Sequence, residues 1–538
     1  MGCKGSRASP VSPVNKCLRE GCEFARHTQQ DHGYCCNLCR QNGQHGPLCQ
    51  KQRSQTTPGD HTNPPTTPGA VPAGSAAAPD RVALTWTPSL LFGPDGRGLQ
   101  PEAATSGVTA TETMHLVRHK GELFAAFGKW MSSDKAPMKN FVGRLSSPGG
   151  CWQVDMRGQG LSEHAMRFTC LKSVTWTRDC HGNELRPPVE QLVLTYGLGK
   201  HGNMMMFRND AETSGAQHLW SETNYTGPCP NFANSGTARA VLIHRDTVTG
   251  IERLFSLKGP DGVVSGVYDP SSNTPGHVVF DKKQEALDLS QMGNGRAKIL
   301  EFRPLSLVIA NGKLYMSSAS WILQRIDGPQ PVWRGVLDIA QLRSANGPLN
   351  EAVGGIRGMT AISCPTDPTK ESILFCWNPN DKSESWILRT DSGADGALQP
   401  PVEETSIRRL AKSYLGTQDL HYTLAAYNNM LPASLGSPCH LIGFEIYLGE
   451  QAKVHGRDPN QKGFWAGGGF AVRVAENDYY VLEVGGRGSK VQRPLTAVRC
   501  FEVSPFPEEE GSIYFGGYDC NSFKSNHTAW IYKGALQK

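Results

Sequence analysis

The sequence predicts an all-β ring in which one small sheet unit is repeated six or seven times. Three observations carry that expectation. First, His115 to Trp130, HLVRHKGELFAAFGKW, recurs without a gap as Ser306 to Trp321, SLVIANGKLYMSSASW. Leu, Val, Gly, Leu and Trp stay in register, and Phe stands against Tyr near the middle. Each copy reads as a strand, a turn at the glycine and a second strand, which is one β-hairpin. Second, from Val82 onward short apolar runs alternate with Gly, Asn, Asp and Pro turns, and no 3.6-residue periodicity persists. Third, glycine (59) and proline (36) are plentiful enough for many short turns. Sheets set radially around an axis leave only short, protected edges. A β-propeller of six or seven blades over 82–538 meets all three observations. Size and the repeat disfavour a sandwich, and the missing helical period disfavours a solenoid.

Composition narrows the function classes. Hydrophobic residues are 38% and charged residues 19% of the 538, as suits a soluble, loop-rich β protein. Net charge is +5 and the pI about 8.4, which over this length gives no case for nucleic acid. There is no run of 18 apolar residues and no apolar segment near the start, so neither a membrane span nor a secretory signal is expected.

The chain opens with MGCKGSR. Gly2, a small residue at 3 and Ser6 match the N-myristoylation pattern, and Cys3 is placed for palmitoylation. One myristoyl chain binds membranes only marginally, so the second acyl group gives the pattern its logic. Lys4 and Arg7 add attraction to anionic lipid. Residues 1–14 are therefore expected to be an acylated tail at the cytosolic face of a membrane.

Residues 15–50 hold Cys17, Cys22, Cys35, Cys36, Cys39, His45 and Cys49. Zinc takes four thiolate or imidazole ligands, and two close groups separated by a loop supply them tetrahedrally. A module of this size has too little core of its own, so the metal supplies folding energy. The preferred ligands are Cys17, Cys22, Cys39 and Cys49, with Cys35, Cys36 or His45 as substitutes. Disulfides are the competing reading and need an oxidising compartment. The spacing resembles short cysteine-rich modules attached to larger protist and algal proteins, a resemblance that implies no activity. Residues 51–81 are Pro, Thr, Gly, Ala and Ser with almost no large apolar residue, which predicts a disordered linker.

Beyond the linker the expected units are 111–155, 168–210, 238–269, 302–338, 356–391, 421–483 and 497–532. The last strand, AWIYKGAL, is expected to close the ring on an early strand. The nine scattered cysteines read as ordinary buried thiols. The stretches 113–131, GKLYMSSASWILQRIDGPQPVW (312–333), GGIRGMTAI (354–362), AAYNNM (425–430) and SPFPEEEGSIYFGGYDCNSF (504–523) resemble a functionally uncharacterised bacterial family of β-propeller-like proteins. The resemblance covers nearly all of 82–536. It implies the fold and the boundary and transfers no catalytic residue.

Polar turn residues facing a propeller channel converge on one volume, the default binding site. Four stretches have that character: Glu112 with His115; Arg357 between glycines; Asn428 and Asn429, with Glu445 following; and Asp519, Asn521 and His527. Their oxygens suit calcium or another divalent cation. A Glu/Asn/Asn/Asp set on the axis resembles calcium-dependent lactonase-type propellers. The blander uses are turn hydrogen bonds for Asn and Asp, and a structural brace for Arg357. No G-x-S-x-G elbow, Walker loop or H-E-x-x-H motif is present, and the sequons at Asn224 and Asn526 read as chance.

Two functions follow. One is a membrane-tethered recognition platform for a protein partner or small polar ligand. The other is a metal-dependent hydrolase or lyase in which Glu112, His115 and Arg357 are the catalytic candidates. In the enzyme, Arg357 holds an anionic group and His115 moves a proton. Convergence of these side chains on one channel opening, enclosing a site about 3 Å from several oxygens, favours the enzyme; scatter among separate turns, each side chain bonded to its own backbone, favours the platform.

Overall fold

A computed structural model of the chain describes residues 81–537 apart from 93–97, 101–109, 129–139, 158–167, 198–202, 211–219, 225–238, 257–261, 289–303, 343–354, 379–383, 417–419, 421, 426–429, 450–463, 466–467, 487–494 and 520–526. The acyl sites Gly2 and Cys3, the whole cysteine-rich module, most of the linker, and Asn428, Asn429 and Asn521 lie outside these residues.

The described residues are all-β in a propeller-like arrangement. Five separate sheets of four or five strands follow one another along the chain, spanning 112–157, 168–224, 241–280, 286–338 and 355–406. The first three and the fifth meander in simple sequence order. The fourth adds a parallel outer strand, Ala286–Asp288, paired to Val332–Asp338. The remaining strands form a ten-stranded sheet. Its two halves, 422–483 and 497–536, are joined by a single residue pair, Glu445 with Ala497.

The repeat seen in the sequence is a repeat in space. Leu116 pairs with Ala125 in the first hairpin and Leu307 with Met316 in the other, so both hairpins have the same register. Their turns fall at Lys120–Gly121 and Asn311–Gly312, and all four residues have positive φ. That is the turn whose twist matches paired strands, and it explains why the glycine recurs. The expected closure is also observed. Ile531–Leu536 pairs antiparallel with Leu84–Leu90, from Leu84 opposite Leu536 to Leu90 opposite Ile531.

One helix was not expected from the sequence. Ile407–Leu415 begins at Ser406, whose Oγ accepts from the Arg409 amide, and ends at left-handed Gly416. It buries Ile407 and Ala411 against Leu374, Ile387 and Ile442. Among the described residues no helix is long and apolar enough to cross a membrane.

Successive sheets are clamped by a recurring device. Asp155, on the outer strand of the first sheet, accepts from Arg208 Nε and Nη2 at 3.0 Å and from Trp220 Nε1 at 2.9 Å, both in the second sheet. Two residues beyond Arg208, Asp210 accepts from His119 of the first sheet at 2.9 Å. Between the third and fourth sheets the same parts reappear. Glu285 accepts from Arg325 Nη2 at 2.9 Å and Trp333 Nε1 at 2.8 Å, while Asp327 meets His244 Nε2 at 3.0 Å. At the next such junction Glu404 holds Arg473 Nε at 2.7 Å, and Tyr479 replaces tryptophan with an Oη donor at 2.6 Å. Each carboxylate is buried and met by a guanidinium fork plus a third donor, so the charges are compensated inside the interface.

Candidate functional site

Seven strands, one from each sheet and half-sheet, line one central cavity of about 820 Å³, with Glu190 added from an eighth, Glu184–Gly197: Glu112–His119, Phe168–Arg178, Val241–Arg245, Pro304–Ala310, Gly355–Cys364, Leu431–Ser434 and Ala497–Val503. A cavity of this size suits a small organic ligand.

The charged candidates divide into two groups. Glu112, Arg357 and Glu445 belong to one buried cluster that also contains Arg499 and Tyr518. Arg499 Nη1 lies 2.8 Å from Glu112 Oε1, with side-chain exposures of 3% and 0%. Tyr518 Oη donates to Glu445 Oε2 at 2.7 Å. Burial pushes the Glu445 carboxyl up. The Tyr518 hydrogen bond and the positive charges of Arg357 and Arg499 oppose that shift, and the charge of Glu112 reinforces it. Arg357 is itself fully buried. Glu112, Arg357 and Arg499 each precede, in their own strands, the first residue that reaches the cavity: His115, Met359 and Cys500. The cluster is thus set in the ring wall beside the cavity and does not line it. Close packing by glycine permits this, because a Cβ at Gly517 would fall 1.8 Å from the Ala497 carbonyl oxygen.

His115 is apart from that cluster and lines the cavity. Its Nε2 lies 2.9 Å from the Thr169 carbonyl oxygen. A carbonyl only accepts, so Nε2 carries the proton and Nδ1 is left as an acceptor. Burial lowers the imidazole pKa to about 3, opposed by the Thr169 hydrogen bond and helped by Arg499, Arg239 and Lys172. The ring is therefore neutral around pH 7 and poorly matched to proton transfer there. Asp519 is buried directly after the strand Ile513–Tyr518, and His527 bridges to Ala110 just before Glu112. Neither lines the cavity. Among the described residues no group of three His, Cys, Asp or Glu is placed to hold a metal ion.

Sequence reasoning missed the cavity's own charge. Among the described residues, Arg118, Lys120, Lys172 and Arg239 line it against two acids, Glu190 and Glu502. Arg118 stands 3.9 Å from Glu502, and burial pushes the Glu502 carboxyl up. Lys120 pairs with Asp210 at 2.8 Å. Lys172 is exposed at the cavity and forms no hydrogen bond or ion pair among the described residues. The signal was a lysine inside an alternating strand, FTCLKSVTW, where polar positions of an inner strand turn toward the axis. Of the described thiols, Cys170, Cys364, Cys376, Cys439 and Cys500 are buried as expected, whereas Cys151 is exposed and Cys180 half-buried; burial pushes Cys170 and Cys376 up to about 12.

No protein-family model matches the chain, and no curated protein does. Solved structures do match. The β-propeller domain of Swd1 from Myceliophteria thermophila is 12% identical, covering 80% of this chain and 97% of its own, with a TM-score of 0.36. The WD40 domain of SCAP from fission yeast is 6% identical, over 85% and 98%, with a TM-score of 0.36. An α-L-arabinofuranosidase from Clostridium thermocellum is 12% identical, over 54% and 93%, with a TM-score of 0.25. At these values the fold assignment rests on strand order and the shared cavity, not on the matches.

Proposed function

We propose that the protein is a recognition platform: a seven-bladed propeller whose central cavity binds a ligand, held at the cytosolic face of a membrane by acyl groups on Gly2 and Cys3. The count of seven takes the ten-stranded sheet as two blades, supported by its single-pair junction and by the seven strands around the cavity. A zinc module over 15–50 and a flexible linker extend the platform's reach toward a protein partner. A channel calcium would need Asn428, Asn429 and Asn521 together with Glu445 and Asp519, and it belongs to the enzyme alternative.

One observation carries the choice between platform and enzyme. Inside one buried cluster with Arg357, Glu112 pairs with Arg499 and Glu445 accepts from Tyr518, and His115 is neutral with its donor committed to a backbone carbonyl. Groups held that way brace a ring; a general acid or base has to reach substrate. What remains open to the cavity is a cationic side and an apolar side, which is the chemistry of binding.

The test is cell fractionation of the full chain, with metal analysis of the same preparations. Wild type is expected in the membrane fraction with at least one zinc per chain, and Gly2→Ala in the soluble fraction with its zinc retained. A Gly2→Ala protein that stays on membranes, or a wild type that is soluble and zinc-free, defeats the tethered reading.

A further inference from the structure

The cavity wall carries its cations on one side only, and apolar side chains, Leu116, Val117, Leu171, Val241 and Leu242 among them, line that side as well. Along one arc, the strands Glu112–His119 and Phe168–Arg178 and the residue before Val241–Arg245 supply Arg118, Lys172 and Arg239. The opposite arc comes from Pro304–Ala310, Gly355–Cys364 and Leu431–Ser434, with the residue before the last of these, and it supplies Ile309, Met359, Met430 and Leu431. The three cationic positions belong to consecutive sheets, so their charges meet across the cavity and are not spread around its rim. Their convergence has an independent trace: Arg239 and Lys172 both depress the imidazole of His115 on the neighbouring strand. Two acids, Glu190 and Glu502, line the same cavity, and Glu502 feels the charges of Lys172 and Arg118. The three cations outnumber them, and Lys172 is exposed with no hydrogen bond or ion pair among the described residues. The apolar arc has the complementary need, since Ile309 and Leu431 are only half-buried and face the same space.

We propose that the central cavity binds a small amphiphilic anion. Its carboxylate or phosphate head sits against Lys172, Arg118 and Arg239, and its apolar body lies along Ile309, Met359, Met430 and Leu431. The volume, about 820 Å³, exceeds what a bare inorganic anion fills and accommodates a chain or ring system behind the head group. The neutral His115 leaves an acceptor nitrogen beside the head, which favours a head group that keeps one proton to donate, such as a phosphate monoester. The proposal rests on the cavity being the platform's binding site and is independent of the acyl anchor.

Calorimetric titration of the full chain separates the possibilities, using octyl phosphate, octanoate, octanol and inorganic phosphate below any micellar concentration. At least one octyl anion is expected to bind saturably at one per chain, and the tighter of the two identifies the head group. Octanol and inorganic phosphate should bind about tenfold more weakly or not at all, because each lacks one half of the recognition. Lys172→Ala should weaken the octyl anions about tenfold, whereas Lys172→Arg keeps them. Leu431→Ser should weaken the octyl anions and leave inorganic phosphate unchanged. The proposal is overturned if neither octyl anion saturates, if several bind per chain as a detergent would, or if Lys172→Ala titrates like wild type. Those outcomes leave the fractionation result untouched, and a soluble wild type would leave the titrations untouched.

Discussion

At the scale of single residues, His115 shows how burial moves a familiar titratable side chain out of its ordinary range. Its pKa falls from 6.5 to about 3, chiefly through desolvation. Between those values the unfolded chain holds a proton at this site that the folded chain refuses. Acid therefore favours unfolding there: the contribution is complete above pH 6.5 and is lost as pH falls toward 3. His115→Gln keeps a donor for the Thr169 carbonyl and removes the titration. Urea midpoints should fall more steeply for wild type than for the variant between pH 7 and pH 4.5. Equal losses would mean that His115 is protonated in the folded protein. The same residue shows what spacing leaves open: a histidine three residues after a glutamate has the look of acid–base machinery. The partners, a carbonyl for His115 and Arg499 for Glu112, separate their hydrogen bonds and ion pairs, while the Arg499 charge still reaches the His115 imidazole.

At the scale of elements, the hairpins were legible and the clamps were not. Six of the seven expected units begin within three residues of a strand that lines the cavity, from Glu112–His119 to Ala497–Val503, because most of these strands are largely buried and read as apolar runs; the unit drawn from 421 begins ten residues before its partly exposed strand Leu431–Ser434. Several units were drawn too short. The outer strands Trp220–Asn224, Val278–Phe280 and Val402–Ser406 lie at sheet edges and are partly exposed; the first and last are polar and the second is only three residues long, so they look like loops. The clamps join residues 40 to 91 positions apart, from Arg325 with Glu285 to His119 with Asp210, so no local window contains both partners. Yet a trace is visible in hindsight: R-N-D at 208–210, R-I-D at 325–327 and R-T-D at 389–391 recur near unit ends. Arg325 meets Glu285 and Asp246 at 2.9 and 2.7 Å and also contacts Asp327, all of them nearly buried. Arg325→Met leaves these carboxylates without their cation and should cost about 3 to 5 kcal/mol in denaturant unfolding. Arg186→Met, at an exposed pair with Glu184, should stay within roughly 0.5 kcal/mol. Similar losses for both variants would show that the clamps are ornamental.

At the scale of the whole molecule, the ring depends on its two ends meeting. The last half-sheet takes Ala497–Val503, Ile513–Tyr518 and Ile531–Leu536 from the C-terminal end and its outer strand, Leu84–Leu90, from the other. Trp86 packs edge-on to Phe515 at 4.9 Å, and Leu90 is fully buried. A second latch lies nearer the axis, where the Ala110 carbonyl accepts from the amides of Thr528 and Ala529, and Thr528 Oγ1 donates to the Thr111 carbonyl at 2.7 Å. This inner latch positions the strand that starts with Glu112, so the closure also sets the wall of the cavity. Deleting residues 84–90 from the full chain would leave Ile531–Leu536 as a bare edge and uncover Phe515. The loss should reach several kcal/mol, since one buried leucine alone accounts for about 2 to 5. The inner latch remains in that variant, so the expected product is a ring that opens before it melts. Trypsin should cut within 531–536 while the first five sheets stay protected, and binding of the octyl anions should weaken together with that protection. If the deletion variant resists trypsin like wild type and still binds the anions, the closing strand is an accessory to a ring held by the inner latch and the clamps alone.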